Sequence, residues 1–153
     1  MPRFVNRWWM SIVTVLVLFF VIQILPYGQT RTNPPVTMEP AWNSLTTRDL
    51  AKRACFDCHS NATRWPGYAR VAPVSWLILH DVQEGRAALN FSEWDRPQKE
   101  AKEAAEEVRE GQMPGRVYRL MHAEARLSDS ERDQLASGLD DTFRASTRQH
   151  VEP

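Results

Sequence analysis

Residues 55–59 read Cys-Phe-Asp-Cys-His, a C-x-x-C-H run, and nothing else in this 153-residue chain restricts its folding as tightly. Two thiols three residues apart fall on one side of a helical turn, where both can add to the two vinyl groups along one edge of a single porphyrin. His59 then falls beneath the ring. Five residues thus supply covalent attachment and one axial bond to iron together. A thioredoxin-like pair would sit in a βαβ pattern, and nothing around Cys55 and Cys58 alternates like strands. A zinc site would need two further ligands at finger-like spacing, whereas His80, His122 and His150 stand singly. The motif predicts one covalent haem c, with Cys55, Cys58 and His59 as its binding residues and His59 as a ligand of the iron.

The N-terminal part has a different character. From Trp8 to Leu25 the chain is apolar and uncharged, interrupted only by Ser11, Thr14 and Gln23. At about 1.5 Å per residue this run spans roughly 27 Å as a helix, close to the hydrocarbon thickness of a bilayer. Arg3 and Arg7 precede it and no acidic residue does, which leaves the first residues in the cytoplasm and exports the rest. The exit sequence Ile24-Leu25-Pro26-Tyr27-Gly28-Gln29 lacks a small-x-small cleavage pattern, so the expectation is an uncleaved signal anchor. The protein is expected at the cytoplasmic membrane as a single-pass chain, its haem domain facing the periplasm or outer side. Export agrees with covalent haem, since c-type cytochromes mature outside that membrane.

Nineteen basic residues balance 19 acidic ones, and two of the basic ones lie ahead of the apolar run. The exported part is therefore slightly acidic, which argues against nucleic acid as a partner. Both cysteines belong to the haem motif, leaving none for a structural disulfide.

Patterning divides the chain into a cytoplasmic N-terminus (1–7), the transmembrane anchor (8–25), a Pro-rich tether (26–43), a haem-binding domain (44–145) and a polar tail (146–153) that is expected to fray after Ala145. The tether carries Pro26, Pro34, Pro35 and Pro40 without a sustained apolar period; fully extended it would reach on the order of 50 Å. Within the domain, Thr46 or Thr47 caps a helix running into the cysteines, and 60–72 forms a loop. Pro73 opens a helix whose Val74, Leu77, Ile78 and Val82 should be deeply buried, and Pro97 opens another, ended by Gly111. Ser128 and Glu131 form a capping box for a last helix with Leu135, Leu139 and Phe143 on its inner face. The fold class is all-α: a small cytochrome c-like helical domain around one covalent haem, preceded by a single transmembrane helix.

What fills the sixth position of the iron decides the chemistry. Met113, in Gly111-Gln112-Met113-Pro114, is the candidate, because the glycine lets the chain leave its helix and the proline stiffens the ligand loop. A thioether opposite histidine favours ferrous iron and raises the potential, as in electron-transfer cytochromes c. Met121, His122 and His80 are rivals, and Met38 lies in the tether. Trp65, Tyr68, Trp76, Phe91 and Trp94 are enough aromatics to wall a porphyrin, though each serves equally as core. Arg64 and Arg70 could meet propionates or water. Asn61-Ala62-Thr63 matches a glycosylation sequon by coincidence.

Cys55-Phe56-Asp57-Cys58-His59-Ser60-Asn61, Thr63-Arg64-Trp65-Pro66, Ala72-Pro73-Val74-Ser75-Trp76, Asn90-Phe91-Ser92-Glu93-Trp94 and Gly111-Gln112-Met113-Pro114 together resemble the bacterial haem-binding domain family. Its members are small, membrane-anchored proteins with one C-x-x-C-H. The resemblance runs from about Asn33 to Leu135 and implies covalent haem c at Cys55 and Cys58 with His59 axial. Gly67 stands where the family pattern carries a second tryptophan. The family is named for the haem and not for a reaction.

The leading expectation is a tethered monohaem cytochrome that carries one electron between redox partner proteins, with no small-molecule substrate. A haem-based peroxidase or gas sensor with an open sixth position is the second. An accessory haem subunit of a larger membrane redox complex is the third. No Ser/His/Asp order, nucleotide loop or second metal cluster stands beside the haem motif.

Overall fold

The structure, a computed structural model, describes residues 2–149. His150 and the end of the expected polar tail lie outside the described residues. Those described are helical: α1 (Pro2–Ile24), α2 (Leu45–Ala54), α3 (Phe56–His59), α4 (Val74–Ala88), α5 (Ala101–Arg109), α6 (Arg116–Met121) and α7 (Asp129–Gln149), with short 3₁₀ turns at Gly67–Arg70 and Ala123–Ala125. The only β pairing among them is an isolated bridge between Met38 and Glu93. The chain forms two compact units, 2–32 with 65–81 and 33–64 with 82–149, and α4 contributes to both.

The first unit contains α1, the 3₁₀ turn at Gly67–Arg70 and the beginning of α4. Arg7–Ile24 of α1 is apolar enough to cross a membrane, and none of that stretch is buried by protein. Its two hydroxyls are satisfied locally. Ser11 Oγ donates to Arg7 O at 3.1 Å and Thr14 Oγ1 to Met10 O at 2.8 Å, so neither hydroxyl is left bare in an apolar medium. On α4 the inward residues are Ser75, Leu79 and Val82, whereas Val74 and Leu77 are exposed. The expected burial holds for Val82 and is corrected for Val74 and Leu77, while Ile78 is half-buried. Gly28, at φ +81°, brings its backbone up against Ser75 and Trp76, where a Cβ would lie 2.9 Å from Ser75 Oγ and 2.5 Å from Trp76 Cδ1.

The second unit is a helical core under the C-x-x-C-H turn. α7 supplies Leu135, Ala136, Leu139 and Phe143, and α5 and α2 both pack against it through Ala105, Val108, Leu50, Ala51 and Ala54. The Leu135, Leu139, Phe143 face is thus buried at i, i+4, i+8 as the pattern predicts. Gly138 permits the closest approach, since a Cβ there would lie 2.1 Å from Thr47 Oγ1. Aromatic rings fill the remaining volume. Phe91 stacks on Phe56 with centroids 5.5 Å apart, Trp94 on Phe143 at 5.1 Å, and Trp42 lies 5.1 Å from Phe91.

Several element ends differ from the sequence pattern. Ser44, and neither threonine, caps α2: its Oγ accepts from Thr47 N at 3.1 Å. α5 starts at Ala101 and not at Pro97, because Gln98 folds back to accept from Asn90 N at 2.8 Å and to donate to Glu93 O at 2.7 Å. Glu131 Oε2 accepts from Ser128 N at 2.9 Å, the capping box of α7. Gly111 ends α5 at φ +70°. α7 continues past Ala145, where fraying was expected, to Gln149; Ser146 Oγ donates to Thr142 O at 3.0 Å within that last stretch.

The Pro-rich segment does not behave as a free tether. Its prolines leave their neighbours' N–H and C=O groups to pair with loops. Within the second unit Thr37 N donates to Ser92 O at 2.9 Å and Trp94 N to Met38 O at 2.9 Å. Arg48 grips Glu39 through two bonds of 2.6 and 2.8 Å, which hold the Glu39 carboxyl below its usual range. Within the first unit Arg31 Nη1 donates to Gly28 O and Ala69 O at 3.1 and 3.2 Å.

Candidate functional site

The C-x-x-C-H run closes a single helical turn. Cys55 ends α2 and begins α3, with Cys58 N donating to its carbonyl at 3.2 Å and His59 N at 2.9 Å. The two cysteines are not joined by a disulfide. Burial, with Cys58 nearby, pushes the Cys55 thiol up to about 12, so at neutral pH it is held as S–H and not as a reactive thiolate.

His59 is fixed from behind. Its Nδ1 lies 3.0 Å from Gly85 O and 3.1 Å from Leu89 O, both at the end of α4 or just beyond it. Carbonyl oxygens only accept, so Nδ1 carries the hydrogen and Nε2 keeps its lone pair. Burial lowers the pKa of the ring, against the opposing pull of the two backbone bonds, and favours the neutral form. This is the tautomer that an iron ligand requires. α4 can come this close because Gly85 lacks a side chain: a Cβ there would stand 2.6 Å from Cys58 O.

A cavity of about 290 Å³ opens beside this turn. Cys55 and His59 line it, with Leu89, Phe91, Val108 and Leu139 as apolar wall and Met113 and Pro114 opposite in sequence. Met113 N donates to Glu107 O at 3.0 Å, which folds its loop back onto α5, and the Met113 side chain is 43 % exposed. Glu100, Glu103 and Glu107 also line the cavity, at i, i+3 and i+7 on one face of α5 and its approach. The sequence shows that face only as part of a densely charged helix; the i, i+3, i+7 spacing was the available signal.

Other predicted residues lie elsewhere. Trp65, Tyr68 and Trp76 belong to the first unit, and Trp76 meets Tyr27 edge-on at 6.5 Å. Trp94 lies in the core of the second unit behind Phe91, with near-parallel rings 6.2 Å apart. Arg64 does not line the cavity; it contacts Asp57 Oδ1 at 3.4 Å and Glu124 Oε1 at 3.3 Å. His80 falls in the first unit, and His122 stacks on Tyr118 at 4.1 Å. Asn61 of the sequon is buried, its amide donating to Pro35 O and Glu93 Oε1 at 2.9 and 2.8 Å. Among the described residues no group of three or more His, Cys, Asp or Glu converges on a metal site.

Cys58 does not line the cavity, but a turn that presents Cys55 and a histidine of fixed tautomer to it, with an apolar wall beside them, suits an iron porphyrin. The Haem-binding domain matches residues 17–141, most of the chain, and the protein therefore belongs to the Haem-binding domain family. Comparison with curated proteins finds no match, nor does comparison with solved structures.

Proposed function

We propose that this protein is a membrane-anchored monohaem c-type cytochrome that carries one electron between redox partner proteins at the outer face of the cytoplasmic membrane. The observation that bears the most weight is His59: its Nδ1–H is committed to Gly85 O and Leu89 O, and the ring shares a cavity with Cys55 and Met113. Haem iron supplies reversible one-electron exchange between ferric and ferrous forms. Cys55 and Cys58 would hold the porphyrin by thioether bonds, and His59 and Met113 would supply ligands to its iron. Leu89, Phe91, Val108 and Leu139 exclude water, which limits reorganisation around the metal. The anchor is the Arg7–Ile24 stretch of α1, oriented by Arg3 ahead of it and Arg7 at its start.

The test is an optical spectrum of the purified protein in both redox states, combined with a potentiometric titration. A methionine-to-iron charge-transfer band, absent in Met113→Ala together with a lowered potential, is the expected result. Rapid carbon monoxide binding by the unsubstituted reduced protein would reject the carrier and favour the open-iron alternative, a peroxidase or gas sensor.

A further inference from the structure

The membrane-proximal unit has apolar residues that its own packing does not use. Val71 and Val74 are each 44 % exposed and Leu77 is 58 % exposed. Val74 and Leu77 share one face of α4, and at i+7 from Val74 the same face reaches Asp81, where the apolar strip ends. A strip of this kind, facing water, is the pattern of a surface that meets something apolar.

Its location identifies what. Gln23, in the last turn of α1, is joined to Ala72 by a reciprocal pair: its Nε2 donates to Ala72 O at 3.1 Å, and Ala72 N donates to its Oε1 at 2.9 Å. Arg31 adds a second fastening through Gly28 O and Ala69 O. A third is steric, since the Cβ that Gly28 lacks would sit 2.5 Å from Trp76 Cδ1. Residues 69–76 are therefore held at the depth of Gln23, at the exit end of the stretch long and apolar enough to cross a bilayer. Leu25 and Tyr27, just past Gln23, are exposed as well, Tyr27 meets Trp76 of α4 edge-on at 6.5 Å, and tyrosine and tryptophan are the residues that favour the headgroup layer.

We propose that Val71, Val74 and Leu77 contact lipid, so that the start of α4 lies in the interfacial layer of the membrane that α1 spans. The surface recognises the acyl–headgroup boundary of a bilayer, as an interfacial amphipathic helix does. The proposal rests on the anchoring part of the proposed function and not on the haem. It turns a single-pass anchor into a two-point contact: a spanning helix and a half-embedded turn fastened to its end.

The experiment uses the full chain in its native membrane, with p-benzoylphenylalanine in place of Val74 or of Leu77, followed by irradiation and mass spectrometry of the peptides. Val71 offers a third site should either substitution disturb α4. Leu16, within the spanning stretch, is the positive reference, and the unsubstituted chain irradiated in the same membrane is the negative one. Phospholipid adducts at 16, 74 and 77, and none in the unsubstituted chain, are expected. Adducts at 16 with protein adducts or only water quenching at 71, 74 and 77 would overturn the proposal while leaving the anchor intact. Absence of lipid adducts at 16 as well would overturn the anchor itself, and the proposal with it.

Discussion

The hydroxyl of Tyr118 donates to Oδ2 of Asp57 at 2.7 Å, which ties α6 to a residue between the two cysteines. Asp57 is buried and also accepts from Arg64 N at 3.0 Å, so the carboxylate organises the C-x-x-C-H turn from outside the cavity. Its place within C-x-x-C-H gives the variable part of the motif a structural task.

Tyr118→Phe removes this bond and leaves one oxygen of a buried carboxylate with weaker partners. The expected cost is about 1–2 kcal/mol of stability, read from urea denaturation. Burial, followed by the bond to Asp57, raises the Tyr118 phenol above its ordinary value of 10.0. A raised folded-state pKa means that the stabilisation is complete below the unfolded value and is lost as pH rises past it. The wild-type protein should therefore lose stability above pH 10 more steeply than Tyr118→Phe does.

Gly85→Ala places a methyl group 2.6 Å from Cys58 O, against backbone that has no rotamer to change. α3 and α4 must separate, moving the His59 ring off its two carbonyls. We expect a loss of about 1–3 kcal/mol, typical of overpacking, and a lower ratio of haem to protein in the purified material. Unchanged haem content and unchanged melting temperature would show that the close approach is unimportant.

Local motifs were legible in the sequence and long-range partners were not. The single turn at Cys55–His59, the Ser128–Glu131 cap and the buried Leu135, Leu139, Phe143 face all follow from spacings of three to eight residues, which the chain displays directly. Thr37, Met38 and Glu39 looked like tether because their partners, Ser92, Trp94 and Arg48, are distant or side-chain specific. Val74 and Leu77 looked like core because helical periodicity marks an apolar face without saying what covers it. Arg64 looked like a propionate partner, and only the fold brings Asp57 and Glu124 to it.

Glu100, Glu103 and Glu107 line the cavity with His59, and negative charge there stabilises ferric over ferrous iron. Glu107→Gln should raise the potential by on the order of tens of mV, the Coulomb energy of unit charges roughly 10 Å apart at an effective dielectric of about 20. A potentiometric titration of both proteins at low ionic strength checks it. A potential that does not move would place this carboxylate outside the electrostatic reach of the iron, and one that falls would contradict the predicted sign.

Covalent attachment at Cys55 and Cys58 is the claim on which the rest depends, and the intact mass of the purified chain under denaturing conditions tests it most directly. Protein taken from cells that mature their own c-type cytochromes should carry the added mass of one haem, retained through acidified organic solvent and lost when both cysteines are replaced by serine. The bare mass of the unsubstituted chain, with all haem in the solvent, would contradict the account.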